Sequence, residues 1–137
     1  METKNIKQTV TFTGAKPLQV YNLIMDAKQH RAFSGSKVKM SNKIDGRFEV
    51  FDGYCTGFNI ELIEGKKIVQ GWHFKEEGWP DDHFSICTFS FAKVAGGTKL
   101  TFTQKAIPAH KVEVLKEGWK LYYWQPMKAY LAGNKAR

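Results

Sequence analysis

The sequence predicts an α+β fold in which a curved antiparallel sheet of about seven strands wraps a long C-terminal helix, with two short helices after the first strand. Three observations predict it. Turn residues recur at short intervals, at Gly14, Asn42, Asp45-Gly46, Asp52-Gly53, Glu64-Gly65, Gly78, Gly96-Gly97 and Pro108, because these residues tolerate positive φ or bond their own backbone. The segments between them alternate apolar with polar residues and are rich in β-branched and aromatic side chains, as meandering strands are. The last segment changes to helical period.

Taken in order, the first strand covers about residues 5–13, with Ile6, Val10 and Phe12 on one face. Pro17 suits the first turn of a helix, where its missing N–H has no partner to lose, and Leu18, Tyr21, Leu23, Ile24 and Met25 follow at helical spacing. A second short helix covers residues 28–33 and stops at Gly35. Six strands come next, at about residues 36–40, 47–51, 54–63, 67–74, 84–93 and 98–106. In the last two, Cys87, Phe89, Phe91, Leu100 and Phe102 alternate with Thr88, Ser90, Thr101 and Thr103. One face of the sheet is therefore apolar and the other is coated with threonine and lysine.

A helix over residues 112–131 covers the apolar face. On a regular helical wheel Val112, Leu115, Trp119, Tyr122, Tyr123, Pro126, Met127 and Tyr130 form one inward arc. Val114, Leu121 and Trp124 fall outside it, and Leu131 lies at its edge. Pro126 inside the helix removes the bond to the Tyr122 carbonyl and predicts a kink, at a cost of about 3 kcal/mol if nothing compensates.

Composition limits what such a chain does. Its 137 residues, 42% hydrophobic and 25% charged, fit one domain spanning 1–137 with a core that needs no metal or disulfide staple. The excess is aromatic: 14% Phe, Trp and Tyr must line a thick core, a cavity or a contact surface. Cys55 and Cys87 lie in strand-like runs without metal-ligand spacing and read as reduced core thiols. The N-terminus carries no apolar export signal, and no run of 18 apolar residues occurs, so no membrane span and a cytoplasmic location are expected. The net charge is +8. Its lysines are spread along the chain, and the densest run, Lys37, Lys39, Lys43 and Arg47, is broken by a turn and has no stacking motif. Nucleic acid is therefore not the expected partner, and an acidic protein surface is preferred.

Three motif groups narrow the reading: Gly46-Arg-Phe48 with Asp52-Gly53 and Gly57; Ile68-Val-Gln-Gly-Trp72 followed by Trp79-Pro80-Asp-Asp-His83-Phe84-Ser85; and Gly118-Trp119-Lys-Leu-Tyr122-Tyr123-Trp124-Gln-Pro126-Met-Lys128. With the element order, they make the chain resemble the START-like (SRPBCC) helix-grip superfamily. Within it, they resemble the C-terminal domain of the activator of heat shock protein 90 ATPase, a stress-response co-chaperone. The resemblance implies a helix-grip fold with an internal cavity and contact with a 90-kDa heat shock chaperone. The two-domain activator also carries an N-terminal domain, and this chain begins on its first strand.

No catalytic constellation accompanies these motifs. There is no Gly-x-Ser-x-Gly elbow, no phosphate-cradling glycine loop and no histidine set beside either cysteine by local sequence, so no enzyme activity and no cofactor are expected. His73 and His83 fall on consecutive strands near Glu76, Glu77, Asp81 and Asp82. Without a third ligand fixed by spacing, they read as a solvated hairpin in which His83 orders the Trp79-Pro80 loop, and no metal site is expected. His30 and His110 read as surface residues flanking helices. Phe48, Trp72, Phe89, Phe91, Phe102, Gln104, Trp119 and Tyr122 are the candidate cavity lining, with Gln104, Tyr54 and Tyr122 as polar handles. Val114, Leu121 and Trp124 are the candidate partner surface, since an exposed tryptophan flanked by aliphatics is an anchor for protein contacts. Two functions follow as expectations: a basic co-chaperone-like domain that binds or regulates a 90-kDa heat shock chaperone, or a carrier or sensor of an apolar small molecule.

Overall fold

A computed structural model describes residues 1–135. Strand β1 (Thr3–Thr13) alternates as its sequence demands, with Ile6, Val10 and Phe12 buried and Lys7, Thr9 and Thr11 exposed. Helix α1 (Pro17–Met25) opens on Pro17, and the Lys16 N–H donates to the Gln19 side chain at 2.7 Å. Asp26 caps helix α2 (Ala27–Ser34), its carboxylate accepting the Lys28 N–H at 2.9 Å, and Gly35 ends the helix at a left-handed φ of 71°.

The remaining strands are β2 (Lys39–Met40), β3 (Arg47–Val50), β4 (Cys55–Ile63), β5 (Lys67–Phe74), β6 (Ser85–Val94) and β7 (Gly97–Pro108). They form one seven-stranded antiparallel sheet in the order β1-β7-β6-β5-β4-β3-β2. The chain thus enters at one edge, pairs β1 with β7, and uses α1 and α2 to reach the other edge. The predicted strand over 36–40 shrinks to Lys39–Met40. Lys37 is taken instead by the turn after β3, donating its N–H to the Asp52 carboxylate at 2.9 Å and accepting the Asp52 N–H at 3.3 Å.

The concave face carries the core, with Phe12, Phe48, Ile68, Trp72, Phe89, Leu100 and Phe102 fully buried. Gly57 on β4 faces Trp72 on β5, and a Cβ there would run into the Gly71 carbonyl and the Phe48 ring. On the convex face Phe58 lies across Gly71 and meets Phe84 with ring centroids 5.3 Å apart. That half-buried aromatic pair interrupts the expected threonine and lysine coat.

The C-terminal helix differs from the regular wheel. Helix α3 (Val112–Trp119) runs into a π turn (Lys120–Trp124), where the Gln125 N–H donates to the Lys120 carbonyl five residues back, and α4 (Gln125–Lys135) follows. The interruption predicted at Pro126 is this wider turn ahead of it, which relieves the clash between the proline ring and the carbonyl four residues earlier. The extra residue rotates everything beyond it. Trp124, expected outside, is 4% exposed, and Tyr122, expected inside, is 59% exposed.

His30, expected at the surface, is fully buried. Its Nδ1 lies 3.0 Å from the Ile24 carbonyl, which only accepts, so Nδ1 carries the proton; Nε2, at 2.9 Å, then accepts from the Tyr123 hydroxyl. This pair ties α2 to the π turn, and the ring stacks on Phe33 at 4.9 Å. Burial drives the imidazole down from its ordinary 6.5 to about 4, partly opposed by the bond to Ile24.

The folded protein therefore binds this proton less tightly than the unfolded chain. Stability from His30 is complete above about pH 6.5 and is lost as the pH falls towards 4, by about 3 kcal/mol in all. Urea midpoints measured at pH 7.5 and pH 4.5 should show that loss. His30→Gln, which takes up no proton, should start less stable but change less between the two pH values; an equal slope in both proteins assigns the titration elsewhere.

Candidate functional site

A cavity of about 660 Å³ lies between the π turn and the β3–β4 corner. Its walls come from Trp72 and Phe74 on β5, Cys55 on β4, and Leu115, Trp119 and Tyr123 on the last helix. Phe51 and Tyr54 form one lip of the mouth, and Val114, Leu121 and Tyr122 form the other. Both lips depart from regular backbone. Phe51, Asp52 and Gly53 hold φ values of 52°, 58° and 90° in succession, a conformation that is costly for a bulky residue and concentrates where a site over-determines it. The strained corner sets the Phe51 ring 5.9 Å from Tyr122 and 5.7 Å from Tyr123. The π turn opposite gives Tyr122 its outward aim, beside Leu121.

Tyr54, Glu76 and Lys111 form a local polar network at one side of the rim. The Glu76 carboxylate accepts the Tyr54 hydroxyl on Oε2 and pairs through Oε1 with Lys111 Nζ at 3.1 Å. Glu117 is the other charged side chain lining the space and is exposed. Burial pushes the Cys55 thiol far above its ordinary range, so it stays protonated, and Cys87 behaves likewise; both are free.

Of the candidate lining residues, Trp72, Trp119 and Tyr122 meet the cavity, and Cys55, Phe51, Phe74 and Tyr123 join them. Phe48, Phe89, Phe91 and Phe102 are buried core, outside the lining. Gln104 does not face the cavity either. It accepts the Trp119 indole N–H at 2.8 Å and donates to Ser85 Oγ at 2.8 Å, so its polar atoms are already spent. A parallel chain links Trp72 to Gln70 at 2.9 Å and Gln70 to Asn59 at 2.9 Å. Of the candidate partner surface, Val114 (68% exposed) and Leu121 (46%) lie open and are joined by Tyr122. Trp124 instead donates its indole N–H to Gln8 on β1 at 2.7 Å. Strand alternation could not place Phe51, because its left-handed backbone breaks the alternation that the prediction relies on.

His73 and His83 do come together, His73 Nδ1 lying 3.1 Å from the His83 carbonyl. That same carbonyl accepts the Trp79 indole at 2.9 Å, and so the loop is ordered by the backbone of His83. Among the described residues no group of three or more His, Cys, Asp or Glu side chains converges as metal ligands, and no helix is long and apolar enough to cross a membrane.

Comparison with known proteins gives consistent matches. The family model described as "Activator of Hsp90 ATPase homolog 1-like protein" matches residues 14–132. "Activator of 90 kDa heat shock protein ATPase homolog 1" from Homo sapiens is 30% identical over 112 residues, covering 82% of this chain and 32% of that protein. The homologue from Dictyostelium discoideum is 32% identical over 120 residues, covering 86% and 30%. The chain thus spans about a third of the length of the curated relatives it matches. Among solved structures, an HSP90 activator from Plasmodium falciparum superposes with a TM-score of 0.82 at 26% identity, covering 96% of this chain and 97% of that one. A Mesorhizobium loti protein superposes at 0.80 with 13% identity, covering 94% and 97%, a likeness of fold alone.

The π turn makes a prediction about Trp124. With the indole buried, Trp124→Ala should cost about 3–5 kcal/mol in a denaturant titration and leave the Gln8 acceptor without its donor. An exposed tryptophan would cost under about 0.5 kcal/mol. A midpoint unchanged from wild type would mean that the helix keeps regular α phase through residue 124.

Proposed function

The chain belongs to the activator of Hsp90 ATPase homolog 1-like family, and we propose on that premise that it docks on a 90-kDa heat shock chaperone. The family is named for activating an ATPase, and its model spans most of this chain, which supports a co-chaperone-like role. One observation carries the docking site: Val114, Leu121 and Tyr122 are large, exposed and gathered on the last helix where it lines the cavity. Contiguous apolar side chains left in water mark contact surfaces, and aromatic anchors are enriched there. The net charge of +8 favours an acidic partner and adds a salt-dependent attraction.

A second reading is favoured by the cavity itself. A space of about 660 Å³ is within the range that holds small molecules, and its aromatic walls suit a flat apolar ligand. In that reading the protein carries or senses such a molecule.

Docking is tested by titrating this chain into its host's 90-kDa chaperone at low and physiological salt. Saturable binding that weakens as salt rises is expected, and Leu121→Asp should weaken it about tenfold or more without moving the melting temperature. Absence of binding by the wild type at high micromolar concentration, or equal binding by Leu121→Asp, overturns the docking site.

A further inference from the structure

The charge lining the cavity runs against the charge of the chain. Lysine and arginine outnumber carboxylates 21 to 13, yet no lysine, arginine or histidine lines the space, and its two charged lining residues are Glu76 and Glu117. Lys111 is outside the lining and is already paired to Glu76 at 3.1 Å. The Tyr54 hydroxyl donates its hydrogen bond to the same carboxylate, so what Tyr54 and Glu76 offer the mouth is oxygen lone pairs. The Tyr122 hydroxyl is exposed and carries no hydrogen bond among the described residues. Below the rim, Trp72, Trp119 and Tyr123 pack with ring centroids 4.7 to 6.1 Å apart, an aromatic floor suited to a flat ring system.

We propose that the cavity binds a small organic cation, its flat apolar body against Trp72, Trp119 and Tyr123 and its protonated amine at the rim facing Glu117 and Glu76. This rests on the reading of the cavity as a ligand site and adds the sign of the ligand's charge. An anionic amphiphile such as a fatty acid is the wrong class, because its carboxylate would meet Glu117 and Glu76, and the cation beside Glu76, Lys111, is already engaged. The positive charge elsewhere on the chain is spread over the surface and screened beyond about 8 Å at physiological salt, so the groups at the rim decide.

Three probes with one ring system separate charge from shape: naphthylmethylamine, naphthylmethanol and naphthylacetate. Each is titrated into the isotope-labelled protein at physiological salt while the amide chemical shifts are followed. The amine should bind about tenfold or more tightly than the acetate, with shifts centred on Cys55 and Gly118. Glu117→Gln, a change at an exposed position, should bring the amine and the acetate to within a few-fold of each other and leave the alcohol unchanged. Binding of the acetate as tight as that of the amine, or a ratio unaltered by Glu117→Gln, overturns the charge assignment while the ligand site stands. If none of the three shifts the lining amides, the ligand site falls as well.

Discussion

The structure depends on what to do with buried indole N–H groups. Three tryptophans at the seam between the last helix and the sheet, Trp72 on β5 and Trp119 and Trp124 on the helix, each donate to a glutamine on the sheet: Trp72 to Gln70, Trp119 to Gln104 and Trp124 to Gln8. A buried N–H without a partner costs about 1–3 kcal/mol, so each bond fixes where its ring can sit. Trp119 and Trp124 thereby anchor the helix to β7 and β1. Gln8 reinforces this, since its amide donates to the Lys116 carbonyl on α3 at 2.9 Å. The sheet thus holds its covering helix with directional bonds as well as apolar area, and no buried side-chain nitrogen or oxygen among the described residues is left without a partner.

That constraint explains the π turn. Trp119 and Trp124 are five residues apart, and on a regular helix that spacing turns the second ring about 140° away from the first. Here both rings lie inward, nearly parallel, with centroids 5.6 Å apart. Only a turn holding one extra residue lets residues i and i+5 share a face. The residue displaced from the core by that turn is Tyr122, which joins Leu121 at the lip of the cavity.

The strands were legible because their signal is local: alternation, β-branched residues and turn glycines lie within a few positions of one another. Hence β5 falls where the pattern places it, at Lys67–Phe74, and a seven-stranded antiparallel sheet meets the long last helix as expected. The site was less legible because it depends on phase. The wheel assigned Trp124 and Tyr122 to the wrong faces, since nothing in residues 120–124 announces a π turn and Pro126, just beyond them, signals only an interruption. His30 was misread for a related reason. Its partners, Ile24 and Tyr123, lie on two other segments, and a polar residue on a short polar helix looks solvated until tertiary contacts are known. Gln104 was correctly read as inward, but its bonds belong to Trp119 and Ser85 and not to a guest.

The exposed apolar face and the mouth of the cavity are built from the same residues. Val114, Leu121 and Tyr122 belong to the cavity lining as well as to the surface, so a protein seated on that face covers the opening. Two ligands that meet at shared side chains cannot bind independently: each changes the other's affinity by the same factor. The direction follows from geometry. A small guest held below the rim, against Trp72 and Trp119, leaves Leu121 and Val114 free to meet a partner, which then seals it in. A guest that reaches past Tyr122 occupies the contact surface and competes. Were both proposed ligands to bind, the length of the guest, more than its affinity, would set whether filling the cavity strengthens or weakens docking.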